Sequence, residues 1–203
     1  MDYTMLVNRT HKLSDSTFEN EIKPNIIAVE TKKDNSAVFR IFGIEDKATY
    51  LEKKTAEKFK EFQDFAEKNG ILIDITSGFL SFEQQDKKYK YFIEKKGQEW
   101  ADKSSCPPGY SEHNTGLAMD FDIFRNGRWG GIALDEKGNT NPQTDWLHEH
   151  LHEFGFILRY PRGKEDITKM KFEPWHIRYV GEELAKYIYE NKITLEEYYD
   201  QKA

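Results

Sequence analysis

The chain has 203 residues, of which 37% are hydrophobic and 14% aromatic, and its formal net charge is -6. With 14 Phe, 11 Tyr and 4 Trp it is too rich in core-forming side chains to be disordered, and it lacks the overall basic charge expected of a nucleic-acid-binding domain. No apolar run approaches the roughly 20 residues that span a bilayer, and the single cysteine, Cys106, excludes both a disulfide framework and a Cys-rich zinc site.

The first residues, MDYTMLVNR, show no basic segment followed by an apolar one, so a cytoplasmic location is expected. No repeat, low-complexity tract or linker divides the chain, and residues 1–203 read as one domain. Nothing in the sequence specifies an oligomeric state.

In chain order, residues 25–30 (NIIAVE) and 36–44 (SAVFRIFGI) read as strands or extended arms. Residues 46–69 read as a helix, with Leu51, Thr55, Phe59, Phe62, Phe65 and Ala66 at helical spacing and Gly70 as its stop. Residues 71–76 (ILIDIT) follow as a buried strand, and residues 81–97 as a second helix. Residues 104–110 (SSCPPGY) form a loop, because Pro107-Pro108-Gly109 suits neither a helix nor a central strand.

Residues 117–123 alternate: Leu117, Met119, Phe121 and Ile123 point one way, Ala118, Asp120 and Asp122 the other. Residues 125–141 are a Gly- and Asn-rich loop, and residues 144–154 a helix ended by Gly155. Residues 156–160 and 175–180 are strands. Helices at 182–191 and 194–200 close the chain, the second with Thr194 and Glu197 spaced as a capping box. Without a regular alternation of strand and helix, the expected class is α+β, a small antiparallel sheet flanked by helices.

Two groups of histidines offer themselves to a metal. His148-Glu149-His150-Leu151-His152 spells H-E-x-x-H, which on a helix sets two imidazoles four residues apart beside a carboxylate. Both histidines lie off the apolar face set by Leu147, and no third-ligand segment follows, so a polar helix face is the simpler reading. The second group is dispersed. His113 precedes a strand that presents Asp120 on its polar face, and the later segment Glu173-Pro174-Trp175-His176 sets His176 and Arg178 on one strand face. A bend at Pro174 brings Glu173 and His176 together. Two imidazoles and one carboxylate, with a place left for water, make the ligand set of a catalytic zinc. By spacing alone the more frequent reading of Asp120 is an ordinary solvent-facing or ion-paired carboxylate.

The string S-x-H-x-x-G-x-A-x-D at Ser111, His113, Gly116, Ala118 and Asp120, followed by E-x-W-H at Glu173, Trp175 and His176, resembles the signature of the zinc D,D- and L,D-carboxypeptidases of the VanY kind. These belong to the lysostaphin/D-Ala-D-Ala metallopeptidase group. The stretches GFILRYP, EPWHIRYVG and TLEEY are most similar to the VanXY type, which combines dipeptidase and carboxypeptidase activity. The resemblance implies a Hedgehog/D,D-peptidase-like fold and one Zn2+ held by His113, Asp120 and His176. It implies Glu173 as catalytic base, and Ser111, Gln85 and Trp175 at the substrate. The implied partners are peptidoglycan precursor peptides ending in D-Ala, with a potential link to vancomycin resistance. L,D-carboxypeptidases of tetrapeptide stems and phage-type L-Ala-D-Glu endopeptidases share the motifs. A zinc-containing peptidoglycan-binding module is the non-enzymatic alternative.

One departure stands out. The family pattern S-G-Y-R-S-x-x-x-Q reads Ser77-Gly78-Phe79-Leu80-Ser81-Phe82-Glu83-Gln84-Gln85 here, with Leu80 where an arginine is expected and Gln85 kept. Arg178 and Arg159 are candidates to supply the missing cation at the substrate. The alternative for Arg178 is a pairing with a structural carboxylate.

Overall fold

The computed structural model describes residues 1–46 and 48–202. The chain opens with the one-turn helix α1 (Asp15–Thr17), a π-helical turn over Phe18–Ile22, and strand β1 (Ile26–Val29), followed by α2 (Ser36–Ile41), β2 (Thr49–Glu52) and α3 (Lys53–Lys68). Next come β3 (Leu72–Ser77), α4 (Phe82–Lys96), α5 (Gln98–Ser104), β4 (Ala118–Arg125) and β5 (Arg128–Trp129). The last part contains α6 (Pro142–His150), β6 (Phe156–Leu158), α7 (Glu165–Thr168), β7 (His176–Tyr179), α8 (Glu182–Asn191) and α9 (Leu195–Asp200).

The main sheet runs β3-β4-β7-β6, with β5 folded back on β4, and every pairing in it is antiparallel. β1 and β2 form a separate antiparallel pair. This is the α+β class expected, with small antiparallel sheets flanked by helices.

Three expected elements differ. Residues 36–44 contain α2 rather than a strand, and Phe39 packs with Ile44 and Leu80 in a small apolar cluster. An apolar run this short fits either period, so its burial partners decide the outcome. The helix expected from residue 46 begins at Lys53. Thr49–Glu52 instead pairs with β1, and the Glu52 side chain caps α3 by accepting the Thr55 amide at 2.8 Å. Lys47, inside that expected helix, lies outside the described residues. The 144–154 helix is also split: α6 ends at His150 and a 3-10 turn spans Leu151–Phe154.

Alternation along the strands gives the main sheet two unlike faces. Ile73, Ile75, Met119, Phe121, Ile123, Ile177 and Tyr179 pack against Phe59, Phe62 and Ala66 of α3 in the principal core. The other face carries Asp74, Asp120, Asp122, His176 and Arg178, and all but the partly exposed Asp120 are buried. Opposed Asp74 and Asp122 are reconciled by Lys33, whose amide donates to Asp74 (2.7 Å) and whose ammonium meets Asp122 (2.6 Å). The candidate site stands further along this polar face.

Candidate active site

The register of β4 against β7 sets Asp120 directly opposite His176 and the small Ala118 opposite Arg178. His113 arrives from the side, on the 3-10 turn Glu112–Thr115. Gly116 ends that turn at φ +69, where a Cβ would run into Ile26 Cδ1 and stand 2.9 Å from the Glu52 amide nitrogen. Left-handed backbone and this close approach both call for glycine.

His113 Nδ1 donates to the Gly78 carbonyl at 2.8 Å, since a carbonyl can only accept, and its Nε2 is left facing Asp120 Oδ2 at 3.5 Å. His176 Nδ1 is 2.9 Å from Asp120 Oδ1. His176 Nε2 faces Glu112 Oε2 at 3.6 Å, and neither of these two buried atoms has a hydrogen-bond partner. Donor atoms of His113, Asp120 and His176 all lie within 4.8 Å of one another. A backbone carbonyl behind one imidazole and a carboxylate behind the other are the outer contacts that fix ligand tautomers at metal sites. The donor set, two imidazoles and a carboxylate, suits zinc.

Glu173 reaches this cluster by a turn around Pro174: its amide donates to the Tyr160 carbonyl (3.2 Å) and its own carbonyl accepts the His176 amide (3.3 Å). Glu173, the three donors, Ser111, Gln85 and Trp175 line one cavity of about 230 Å³.

Electrostatics differentiate the acids. Burial pushes Glu173 up to about 7, helped by the Asp120 charge and opposed by His176. Burial also opposes ionisation of Asp120, but His113 and His176 outweigh it and hold that carboxyl well below its usual range. Burial lowers His113. His176 is desolvated too, yet Asp120 and Glu112 lift it to about 9. A carboxyl tuned near neutrality beside an ionised one is an arrangement for proton transfer.

Residues 48–182 match the VanY family, described as D-alanyl-D-alanine carboxypeptidase. The chain belongs to the VanY family. It is 38% identical over 160 residues to a D-alanyl-D-alanine carboxypeptidase of Enterococcus faecium, covering 78% of this chain and 47% of that protein, so it spans about half the length of that relative. It is 28% identical over 202 residues to the bifunctional D-Ala-D-Ala dipeptidase and carboxypeptidase VanXYC of Enterococcus gallinarum, covering 98% and 95% of the two chains. Among solved structures, the LdcB LD-carboxypeptidase aligns with a TM-score of 0.76 at 34% identity over 96% of this chain and 84% of that one. A point mutant of the vancomycin-resistance D,D-pentapeptidase VanY, in complex with Zn(II), aligns with a TM-score of 0.70 at 27% identity over 98% and 99%.

This VanY-family chain keeps its substituted segment in place through the backbone. Leu80 donates its amide to the His113 carbonyl (3.1 Å) and accepts Asn114 Nδ2 at its own carbonyl (2.7 Å), while its side chain is buried with Phe39 and Ile44. Gln85 Nε2 donates to the Cys106 carbonyl at 2.7 Å, and its buried Oε1 has no partner.

Arg178 is not at the cavity. Although it shares the His176 face, its guanidinium is fully buried against Glu112 (2.7 Å) and donates to the Tyr3 (3.1 Å) and Met5 (2.8 Å) carbonyls. A substrate-binding role for Arg178 is therefore replaced by a structural one. Arg159 is likewise held between Glu112 and Glu196.

The H-E-x-x-H residues diverge. His148 Nε2 meets the Pro174 carbonyl at 2.8 Å, and His152, beyond the break in the helix, stacks on Tyr189 with ring centroids 3.9 Å apart. Among the described residues, only the dispersed triplet groups as metal donors.

Three residues of the site escaped the sequence reading. Glu112 backs His176, Tyr160 stacks on the His176 ring at 4.8 Å, and Lys88 lines the cavity from α4. Arginines inside the apolar strands FILRY and HIRYV were a signal for Glu112, since buried guanidinium groups require a buried carboxylate.

Proposed function

We propose that this chain is a zinc-dependent carboxypeptidase that removes a C-terminal D-alanyl residue from peptidoglycan stem peptides, with residues 1–203 acting as one catalytic domain. His113, Asp120 and His176 hold the metal and Glu173 is the general acid–base. The observation that carries this reading is a buried carboxyl near neutral pKa in the same cavity as a compact His-Asp-His donor set. When bound there, zinc supplies Lewis acidity for the scissile carbonyl and makes water a competent nucleophile near pH 7.

The side chains do the rest. Glu173 takes a proton from the attacking water and returns it to the departing amine, a contribution of about 10²- to 10⁴-fold. The Gly78 carbonyl holds His113 in the tautomer that leaves its Nε2 as a ligand, and Glu112, 3.6 Å from His176 Nε2, leaves His176 Nδ1 facing Asp120. Gln85 Oε1 offers an acceptor to a substrate N–H, Ser111 a hydroxyl, and Trp175 an apolar wall. The same reaction on wall precursors removes D-Ala-D-Ala termini, the vancomycin target.

The test incubates zinc-loaded protein with D-Ala-D-Ala, a stem pentapeptide ending in D-Ala-D-Ala and a tetrapeptide ending in one D-Ala, with products read by mass spectrometry. Loss of one D-Ala from the pentapeptide is expected, with turnover abolished in Glu173→Ala. Binding without turnover in both proteins would instead leave a peptidoglycan-binding module. A second reading, an L,D-carboxypeptidase, is favoured by the alignment to LdcB. Cleavage of the tetrapeptide alone selects it.

A further inference from the structure

We infer that Lys88 anchors the free C-terminal carboxylate of the substrate, in place of the arginine that Leu80 replaces. The inference rests on the carboxypeptidase reading above and adds to it the residue that makes the enzyme act at a chain end.

Three observations lead there. First, a cavity built to cut next to a chain terminus needs a cation for the terminal carboxylate, and neither buried arginine nearby is available. Arg159 and Arg178 are both saturated by Glu112, Glu196 and main-chain carbonyls. Second, Lys88 sits one helical turn beyond Gln85 on α4, and the two line the same cavity as Glu173 and the donor triplet. Residues three apart share a helix face.

Third, the sequence of α4 leaves Lys88 unpaired. Lys87 and Lys90 are each bonded to an acid four residues earlier, Glu83 at 3.0 Å and Asp86 at 2.6 Å. The corresponding neighbour of Lys88 is Gln84, which is engaged in the capping box with Ser81, and Phe92 stands four residues on. Among the described residues Lys88 has no ion pair, while Lys171, the other lysine of the cavity, lies over the Trp100 ring at 4.5 Å.

Binding tests this directly. Zinc-loaded Glu173→Ala protein is titrated calorimetrically with a peptide ending in Lys-D-Ala-D-Ala and with its C-terminal amide. The acid is expected to bind about 10- to 100-fold more tightly, the range of a charge-assisted hydrogen bond. Adding Lys88→Met should erase that difference while leaving amide binding unchanged, which also shows that the variant is folded. Lys88→Arg should keep the preference, as should Lys87→Met on the outer face of the helix. An acid preference that survives Lys88→Met overturns the assignment, and so does equal binding of acid and amide by the Glu173→Ala parent. Cleavage of D-alanyl peptides by the wild type in either case leaves the proposed function intact. Failure of both binding and cleavage removes the D-alanyl reading and the anchor with it.

Discussion

Glu173 is 5% exposed, and its burial has a thermodynamic signature apart from catalysis. Its carboxyl titrates near 4.5 when unfolded and at about 7 in the metal-free fold. Between those values the unfolded chain has released a proton that the folded chain keeps. Stability from this group is therefore full below about 4.5, falls as pH rises through 7, and then levels off. The span corresponds to roughly 3–4 kcal/mol at most. Glu173→Gln has no such titration, so in EDTA-treated protein it should gain on wild type by up to that amount between pH 4.5 and 8, measured by urea unfolding. Parallel stability profiles would show that Glu173 is not desolvated. At this scale His113, Asp120, His176 and Glu173, the proposed ligands and base, stand in motifs of the sequence. Lys88 and Glu112 are not marked by one, because what distinguishes them is the partners that they lack or share across the fold.

At the scale of elements, the site depends on one register and one turn. Pairing of Asp120 with His176 fixes two donors, and the Glu112–Thr115 turn delivers the third. Gly116→Ala should cost about 1–2 kcal/mol from left-handed backbone, and more from the contact with Ile26. Thermal unfolding with and without zinc should show a lower melting temperature and a smaller zinc-induced gain, because the same turn carries His113. An unchanged zinc gain would uncouple the turn from the site.

Elements with local signals were legible. α4 follows a Ser81 capping box, α9 a Thr194 capping box, and β4 shows clean alternation because one face meets α3. β2 was not legible, since its helical phase continues into α3 and only the distant β1 makes it a strand. The H-E-x-x-H spacing misleads for a similar reason: α6 stops at His150, so His148 and His152 never share a regular turn.

Across the whole molecule, a buried charge network ties the ends of the chain to the site. Arg178 of β7 holds the Tyr3 and Met5 carbonyls, Arg159 holds Glu196 of α9, and Glu112 joins both arginines beside His176. Removing one partner from such a network leaves a buried charge uncompensated, so the positions that support the proposed metal ligands also support the packing of both termini. That dual duty explains why Arg178 lies on the His176 face yet stays out of the cavity. The most direct check of the site is zinc content by variant, measured by mass spectrometry of metals on desalted protein. Wild type and His148→Ala should each retain one zinc per chain, while His113→Ala and His176→Ala lose it. Zinc that persists in the latter two and disappears from His148→Ala would contradict the assignment and return the metal to the H-E-x-x-H segment.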